Sequence, residues 1–89
     1  MPKSEIILRV NNNTGLHARP AAMLVKLSNR YSSEIFIEKN GEKVNGKSIM
    51  GIMMLAAEPG SQLKITADGD DAGEALESIK ILFESDFEE

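Results

Sequence analysis

The chain has 89 residues, 42% of them hydrophobic, so we expect one domain over residues 1–89 with a modest core and no large substrate cleft. It contains no cysteine, which excludes a disulfide framework, thiol catalysis and a thiolate metal site. The net charge of −4 is unevenly distributed, because residues 1–67 carry nine basic and five acidic side chains whereas residues 68–89 carry one basic and nine acidic. Three Phe, one Tyr and no Trp argue against a stacking platform for nucleic acid.

We expect no targeting signal in the N-terminal residues. Residues 1–5 lead directly into a short alternating segment rather than an apolar signal core, and no apolar run approaches the length of a membrane span. We therefore expect a cytoplasmic protein that does not insert into membranes.

The first part of the chain predicts a strand followed by a helix. Alternating hydrophobic residues indicate a strand over Glu5–Val10. The polar residues 11–13 and Gly15 then break the alternation. A helical period follows over residues 18–29, where the residues predicted to face the core are Ala21, Leu24, Val25 and Leu27.

The middle of the chain predicts a hairpin and a short helix. β-branched and aromatic residues favour a strand over Glu34–Lys39, and Asn40–Gly41 is a hairpin turn signal before a return strand over Glu42–Asn45. Ser48 is the natural N-cap of the apolar helix that follows. In that helix we assign Met54 and Leu55 to the core.

The last part predicts one more strand, over residues 62–67, and a final amphipathic helix. The apolar stripe of that helix consists of Ala72, Ala75, Leu76, Ile79 and Phe83. The resulting order is βαββαβα. A four-stranded antiparallel sheet with three helices on one face, an α+β fold, is the economical way to bury these stripes.

The histidine of this chain lies where the first helix should begin. His17 is the only histidine, and Pro20 is tolerated in a first turn because its amide would have no intrahelical acceptor. A helix N-terminus favours anions, and the guanidinium of Arg19 matches phosphate oxygens. The residues alone therefore indicate a site that could hold a phosphoryl group on His17, and they also fit a surface histidine that merely caps the helix.

Two motifs identify a family resemblance. Residues 14–21 read TGLHARPA, and residues 47–55 read KSIMGIMML, with Ser48 placed 31 residues after His17. In order and spacing the chain resembles HPr, the phosphocarrier of the bacterial phosphoenolpyruvate-dependent sugar phosphotransferase system. This resemblance implies the open-faced β-sandwich of HPr-like proteins, which agrees with the fold derived from the patterns.

The resemblance also implies a reaction. His17 would accept a phosphoryl group on Nδ1 from phospho-enzyme I and pass it to a histidine of an EIIA-type domain for sugar uptake. Arg19 would clamp the phosphate, and Thr14 would either support the ring and phosphate or cap the loop. No metal and no cofactor are implied, and the chain would be a phosphoryl carrier rather than an independent enzyme.

A partner-binding surface beside His17 is implied as well. Exposed methionine suits a surface that must meet two unrelated partners, and basic residues would steer acidic ones. The residues assigned to this surface are Leu16, Pro20, Ala22, Lys26, Arg30, Lys47, Ile49, Met50 and Met53. A monomer is the simplest expectation for a protein that offers one surface to successive partners.

Three questions stay open at this level. Ser48 matches the regulatory serine that HPr kinase/phosphorylase modifies in many bacteria, but serine is also the expected N-cap. Residues 52–60 are similar to the nitrogen-related branch called NPr, so a regulatory carrier without sugar flux is an alternative. A noncatalytic protein-binding module of the same fold is another.

Overall fold

The computed structural model describes residues 3–88, so the predicted lead at Met1 and Pro2, and Glu89 at the other end, lie outside the described residues. Within residues 3–88 the strands and helices follow the predicted order. They are β1 (Lys3–Arg9), α1 (Ala18–Ser28), β2 (Glu34–Lys39), β3 (Glu42–Asn45), α2 (Ile49–Met54), β4 (Gln62–Asp68) and α3 (Ala72–Glu84). The bounds of β2 and β3 match the sequence prediction.

Small differences at the ends of other elements have local causes. β1 begins at Lys3 rather than Glu5 because it pairs with the whole of β4, from Lys3 opposite Asp68 to Arg9 opposite Gln62. α1 ends one residue early because Asn29 caps it. The backbone N–H of Asn29 donates to the Val25 oxygen at 2.9 Å, and its side-chain Nδ2 donates to the same oxygen at 3.0 Å.

The four strands form one antiparallel sheet in the order β1-β4-β2-β3. The β2–β3 hairpin turns at Asn40 and Gly41, whose φ values of 51° and 87° suit a tight turn that follows the twist of the strands. Alternate residues of the central strands are buried under the helices: Ile35, Ile37, Leu63 and Ile65. The opposite face carries charged side chains such as Glu5 and Lys64. The predicted α+β fold is confirmed.

The helices bury the predicted stripes, with one exception. All five residues assigned to the α3 stripe are buried, and so are Ala21 and Leu24 of α1, while Val25 and Leu27 are half-buried. In α2, Ile52 and Leu55 are buried, but Met54 is 67% exposed, so its assignment to the core was wrong. The short helix α2 buries only the side that carries Ile52. Met54 lies about 200° around the helix axis from Ile52, so its side chain is on the opposite, exposed side.

A short loop before β2 is attached to the start of α3. The Asp71 carboxylate accepts hydrogen bonds from the backbone N–H groups of Ser32 and Ser33, at 2.9 Å and 3.0 Å, and from both serine hydroxyls. These donors, the Ser33 hydroxyl first, lower the pKa of Asp71 from its ordinary value of 3.8 to about 2. The ionised carboxylate thus connects two segments that are distant in sequence.

The loop that delivers His17 is docked on the segment after α2. The N–H of Leu16 donates to the Ala57 oxygen at 2.9 Å, and Gly15 has a φ of 72°. A Cβ on Gly15 would lie 2.5 Å from that same oxygen, so the close approach requires glycine. Among residues 3–88, no helix combines the length and apolar character needed to cross a bilayer.

Candidate functional site

His17 occupies the N-cap position of α1 with its side chain exposed. Its backbone is extended, with φ −90° and ψ −160°, and its carbonyl accepts the first helical hydrogen bond from the N–H of Ala21 at 2.9 Å. Among the described residues, the imidazole makes no capping hydrogen bond to the helix. The interpretation of His17 as a simple cap therefore has no support in its geometry, and the ring stays available for chemistry.

The first turn of α1 places a cation and a proline beside the ring. Pro20 is buried at the third helical position, where it contributes no N–H, and the exposed Arg19 lines the same open cleft as His17. The first amides of a helix have no intrahelical acceptors, and its N-terminus carries the positive end of the macrodipole. The structure thus brings together an imidazole, a guanidinium and a helix N-terminus, which is an arrangement suited to an anionic group.

Asn12 orders the loop in front of His17. Its Nδ2 donates to Thr14 Oγ1 at 3.2 Å and to the Gly15 oxygen at 3.0 Å. The hydroxyl of Thr14 therefore takes part in the hydrogen bonds of the loop, and Thr14 also lines the two clefts that include His17. Sequence reasoning treated the three asparagines only as a strand terminator. The tendency of asparagine to bond nearby backbone was the available signal.

Most of the residues predicted to contact partners are on the surface. Ala22, Lys26 and Arg30 are exposed on α1. On α2, Ile49 is 45% exposed, Met50 71% and Met53 43%. We call this set of exposed residues the docking surface; its members are Ala22, Lys26, Arg30, Ile49, Met50 and Met53.

Two predicted partner residues are buried and do not belong to the docking surface. Leu16 is 3% exposed, because the hydrogen bond of its N–H to Ala57 pulls it into the core. Pro20 is buried under the first turn of α1. Both residues are therefore buried neighbours of His17 and not parts of an exposed surface. Lys47 is half-buried, and its Nζ donates to the Tyr31 oxygen at 2.7 Å, joining the start of α2 to the segment after α1.

Ser48 is the N-cap of α2, as predicted. Its Oγ accepts a hydrogen bond from the Gly51 N–H at 3.0 Å, and the side chain is half-buried. A phosphate on this oxygen would meet the N-terminal end of the helix and carry negative charge toward the docking surface. Capping by Ser48 is therefore observed.

Two regions that sequence reasoning did not assign to the site lie beside His17. One is the segment after α2, where Ala56, Ala57, Glu58 and Pro59 line a depression together with His17 and Met53. The other is the C-terminal turn, whose Asp86, Phe87 and Glu88 line the cleft that holds His17 and Arg19.

The C-terminal turn is held in place by α3. The N–H of Asp86 donates to the Phe83 oxygen and that of Phe87 to the Leu82 oxygen, both at 3.0 Å, which is the Schellman pattern of helix termination. The Phe87 ring is buried against Phe83, with centroids 4.8 Å apart. Acidic side chains are thereby brought beside the basic groups of α1. The aromatic spacing of four residues was the signal that could have extended the α3 stripe.

The chemistry available at this site depends on the single imidazole. Among residues 3–88, no group of three or more His, Cys, Asp or Glu side chains could hold a metal ion. A ring nitrogen with a cation and a helix N-terminus beside it can accept and release an anionic group, with positioning and modest electrostatics as the main contributions.

Comparison with known proteins agrees with this geometry. Residues 4–85 match the family model described as the PTS HPr component phosphorylation site. The chain is 49% identical to the HPr-like protein Crh of Halalkalibacterium halodurans, covering 89% of this chain and 94% of that one. It is 45% identical to the phosphocarrier protein HPr of Treponema pallidum, covering 92% and 93%.

The fold agrees as well. A crystal structure of HPr from Thermoanaerobacter tengcongensis superposes with a TM-score of 0.93 at 48% identity, covering 97% of this chain and 98% of that one. A dimer of the same protein superposes with a TM-score of 0.78. A match that spans nearly the whole chain, with this identity and this fold, shows that the chain belongs to the HPr family of phosphocarrier proteins.

Proposed function

We propose that this chain carries a phosphoryl group on His17, accepting it from phospho-enzyme I and passing it to a histidine of an EIIA-type domain in the cytoplasm. The observation that carries the proposal is the exposed imidazole at the N-terminus of α1, which makes no capping hydrogen bond among residues 3–88 and shares its cleft with Arg19. Membership of the HPr family supports the same reaction.

The transfer exchanges one nitrogen–phosphorus bond for another. The lone pair of His17 Nδ1 attacks the phosphorus, the bond from phosphorus to the donor histidine breaks, and the donor nitrogen takes back its electron pair. The reverse sequence delivers the group to the acceptor. Because the bond formed resembles the bond broken, the protein needs orientation and charge stabilisation, which the first turn of α1 and Arg19 provide.

The docking surface suits partners that approach the cleft. Its methionines are exposed and flexible, so they can pack against two different proteins, and its basic residues on α1 attract acidic ones. Thr14 supports the loop, and Lys47 adds charge at the edge of this surface. Phosphorylation of Ser48 by HPr kinase/phosphorylase would repel such acidic partners.

A regulatory role is the second candidate, and similarity to HPr-like protein Crh favours it. In that role the docking surface would bind a protein without transfer through His17. The two candidates differ in one respect that can be measured: the consequence of losing the imidazole.

The test is intact-mass analysis after incubation with phosphoenolpyruvate and bacterial enzyme I, including an enzyme I of the nitrogen-related type. We expect one acid-labile phosphoryl group on the wild type and none on His17→Gln, a variant of similar size that lacks the ring. Circular dichroism checks that both proteins are folded. A folded wild type that accepts no phosphoryl group from any enzyme I would contradict the carrier and favour the regulatory role.

The assembly state can be measured on the same samples. We propose that the chain acts as a monomer, although a dimer is known for the Thermoanaerobacter tengcongensis relative. Light scattering coupled to size exclusion decides this directly, and a stable dimer at micromolar concentration would contradict the monomer.

A further inference from the structure

Lys39, the last residue of β2, reaches from the sheet to the end of α2. It follows the buried Ile35 and Ile37 on the face of the strand that is covered by helices. Its Nζ donates to the Leu55 oxygen at 3.2 Å and to the Ala56 oxygen at 3.1 Å. The last carbonyls of a helix have no intrahelical donor, so a lysine at this position satisfies groups that would otherwise need water.

The segment that Lys39 holds has an uncommon shape. Ala56 has a φ of 50°, which is the left-handed region and costs about 1–2 kcal/mol for a residue with a Cβ. Such a conformation persists only where surrounding contacts support it. The two hydrogen bonds from Lys39, on the carbonyls of Leu55 and Ala56, lie directly at the strained residue.

The same segment holds the loop of the phosphoacceptor. Ala57 is 4% exposed, and its oxygen accepts the N–H of Leu16 at 2.9 Å. Leu16 immediately precedes His17. A continuous series of hydrogen bonds and peptide bonds therefore runs from the Lys39 ammonium through residues 55–57 to the backbone of His17.

The charge of Lys39 also suits the reaction. Ala56 and Ala57 line the depression beside His17, and carbonyl groups at a helix C-terminus carry partial negative charge. A phosphoryl group brought to His17 is itself anionic. The ammonium of Lys39, bonded to the carbonyls of Leu55 and Ala56, offsets the repulsion that these groups would exert on the incoming group.

We propose that Lys39 is a positioning residue for phosphoryl transfer, a role that rests on the proposed function of His17. It holds residues 55–57 in the conformation that fixes the His17 loop, and it does not itself contact the phosphoryl group. A displacement of about 1 Å at a reacting group can cost a factor of about 100 in rate, so a remote hydrogen bond of this kind can affect catalysis.

The first experiment uses this protein alone. Lys39→Met removes the donors and keeps an unbranched side chain that is one heavy atom shorter, and Lys39→Arg keeps the positive charge and N–H donors. Lys43→Met is the matched control, because it removes the same charge from the open face of the sheet, where Lys43 lies over the Phe36 ring at 5.1 Å. We expect Lys39→Met to lower the hydrogen-exchange protection of the Leu16 amide by about tenfold, with the Ile79 amide unchanged, and Lys43→Met to leave both unchanged.

The second experiment measures transfer from phospho-enzyme I. We expect Lys39→Met to lower kcat by about tenfold with little change in KM, and Lys39→Arg to recover most of the loss. A merely structural role would lower the unfolding midpoint and leave kcat unchanged. Equal behaviour of Lys39→Met and Lys43→Met in either experiment overturns the proposal. If the wild type accepts no phosphoryl group, the proposed function fails, while exchange at Leu16 still decides whether Lys39 holds the loop.

Discussion

Substitutions on α1 should separate direct phosphate binding from long-range attraction of partners. Arg19 is two residues after His17 and lines the same cleft. Lys26 is exposed on the same helix but lies nine residues after His17, which is about 14 Å along the axis. That separation exceeds the screening length of about 8 Å at physiological salt. Arg19 can therefore touch the phosphoryl group, whereas Lys26 acts only through its field.

The expected magnitudes follow from this difference. A hydrogen bond to a charged group contributes about 1.5–3 kcal/mol, and each 1.36 kcal/mol is about tenfold in rate. We expect Arg19→Met to lower kcat of transfer by about 10–100-fold. The kcat of Arg19→Lys should lie between those of Arg19→Met and the wild type, because lysine keeps the positive charge but lacks the planar guanidinium that can donate two parallel hydrogen bonds to a phosphate. Lys26→Met should leave kcat unchanged and raise KM about twofold to fivefold at low salt.

The assay is rapid-quench transfer from radiolabelled phospho-enzyme I at two ionic strengths, with circular dichroism as the folding control. At high salt the effect of Lys26→Met should disappear, whereas that of Arg19→Met should persist. The reasoning is refuted if Arg19→Met keeps the wild-type kcat, or if Lys26→Met lowers kcat to the same extent.

Three further perturbations address stability and the shape of the site. The pKa of Asp71 in the folded protein is below its ordinary value, so the stabilisation by its carboxylate is present above about pH 4 and is lost as the pH falls toward 2. Urea unfolding of Asp71→Asn at several pH values should show that this pH-dependent stabilisation is gone. A pH profile of stability equal to that of the wild type would contradict the role of Asp71. Gly15→Ala should slow transfer and destabilise the fold by about 1–3 kcal/mol, more than the control Gly41→Ala, whose Cβ meets nothing within 4 Å. Phe87→Ala should lower stability by about 3–5 kcal/mol in thermal unfolding, because the ring is buried in the core against Phe83; a loss below about 1 kcal/mol would contradict this packing.

The order of the elements was predictable because each carries a local signal. Periods of two and of 3.6 residues mark strands and helices, and the Asn40–Gly41 turn and the Ser48 cap are recognisable in the sequence alone. The same holds for the candidate site. The segment containing His17 and Arg19 could be located from its residues because both side chains lie on one helical turn, where sequence distance determines spatial distance.

The incorrect and missing assignments have a different origin. Leu16 was assigned to the surface and is buried, and Met54 was assigned to the core and is exposed. Periodicity shows which residues share a face of a helix, but other elements decide which face they cover. A hydrophobic residue at the boundary of a small core can therefore be placed wrongly by any local rule.

The sequence by itself determined the alternation of elements, the family and the position of the histidine at a helix N-terminus, since each depends on residues that are close together in the chain. Only the tertiary structure decided how the site is enclosed. Lys39 meets Leu55 across 16 residues, and the turn at Phe87 reaches the cleft of His17 from the other end of the chain. Such contacts form because the sheet brings distant segments together, and no local pattern of charge or hydrophobicity records which segments will meet.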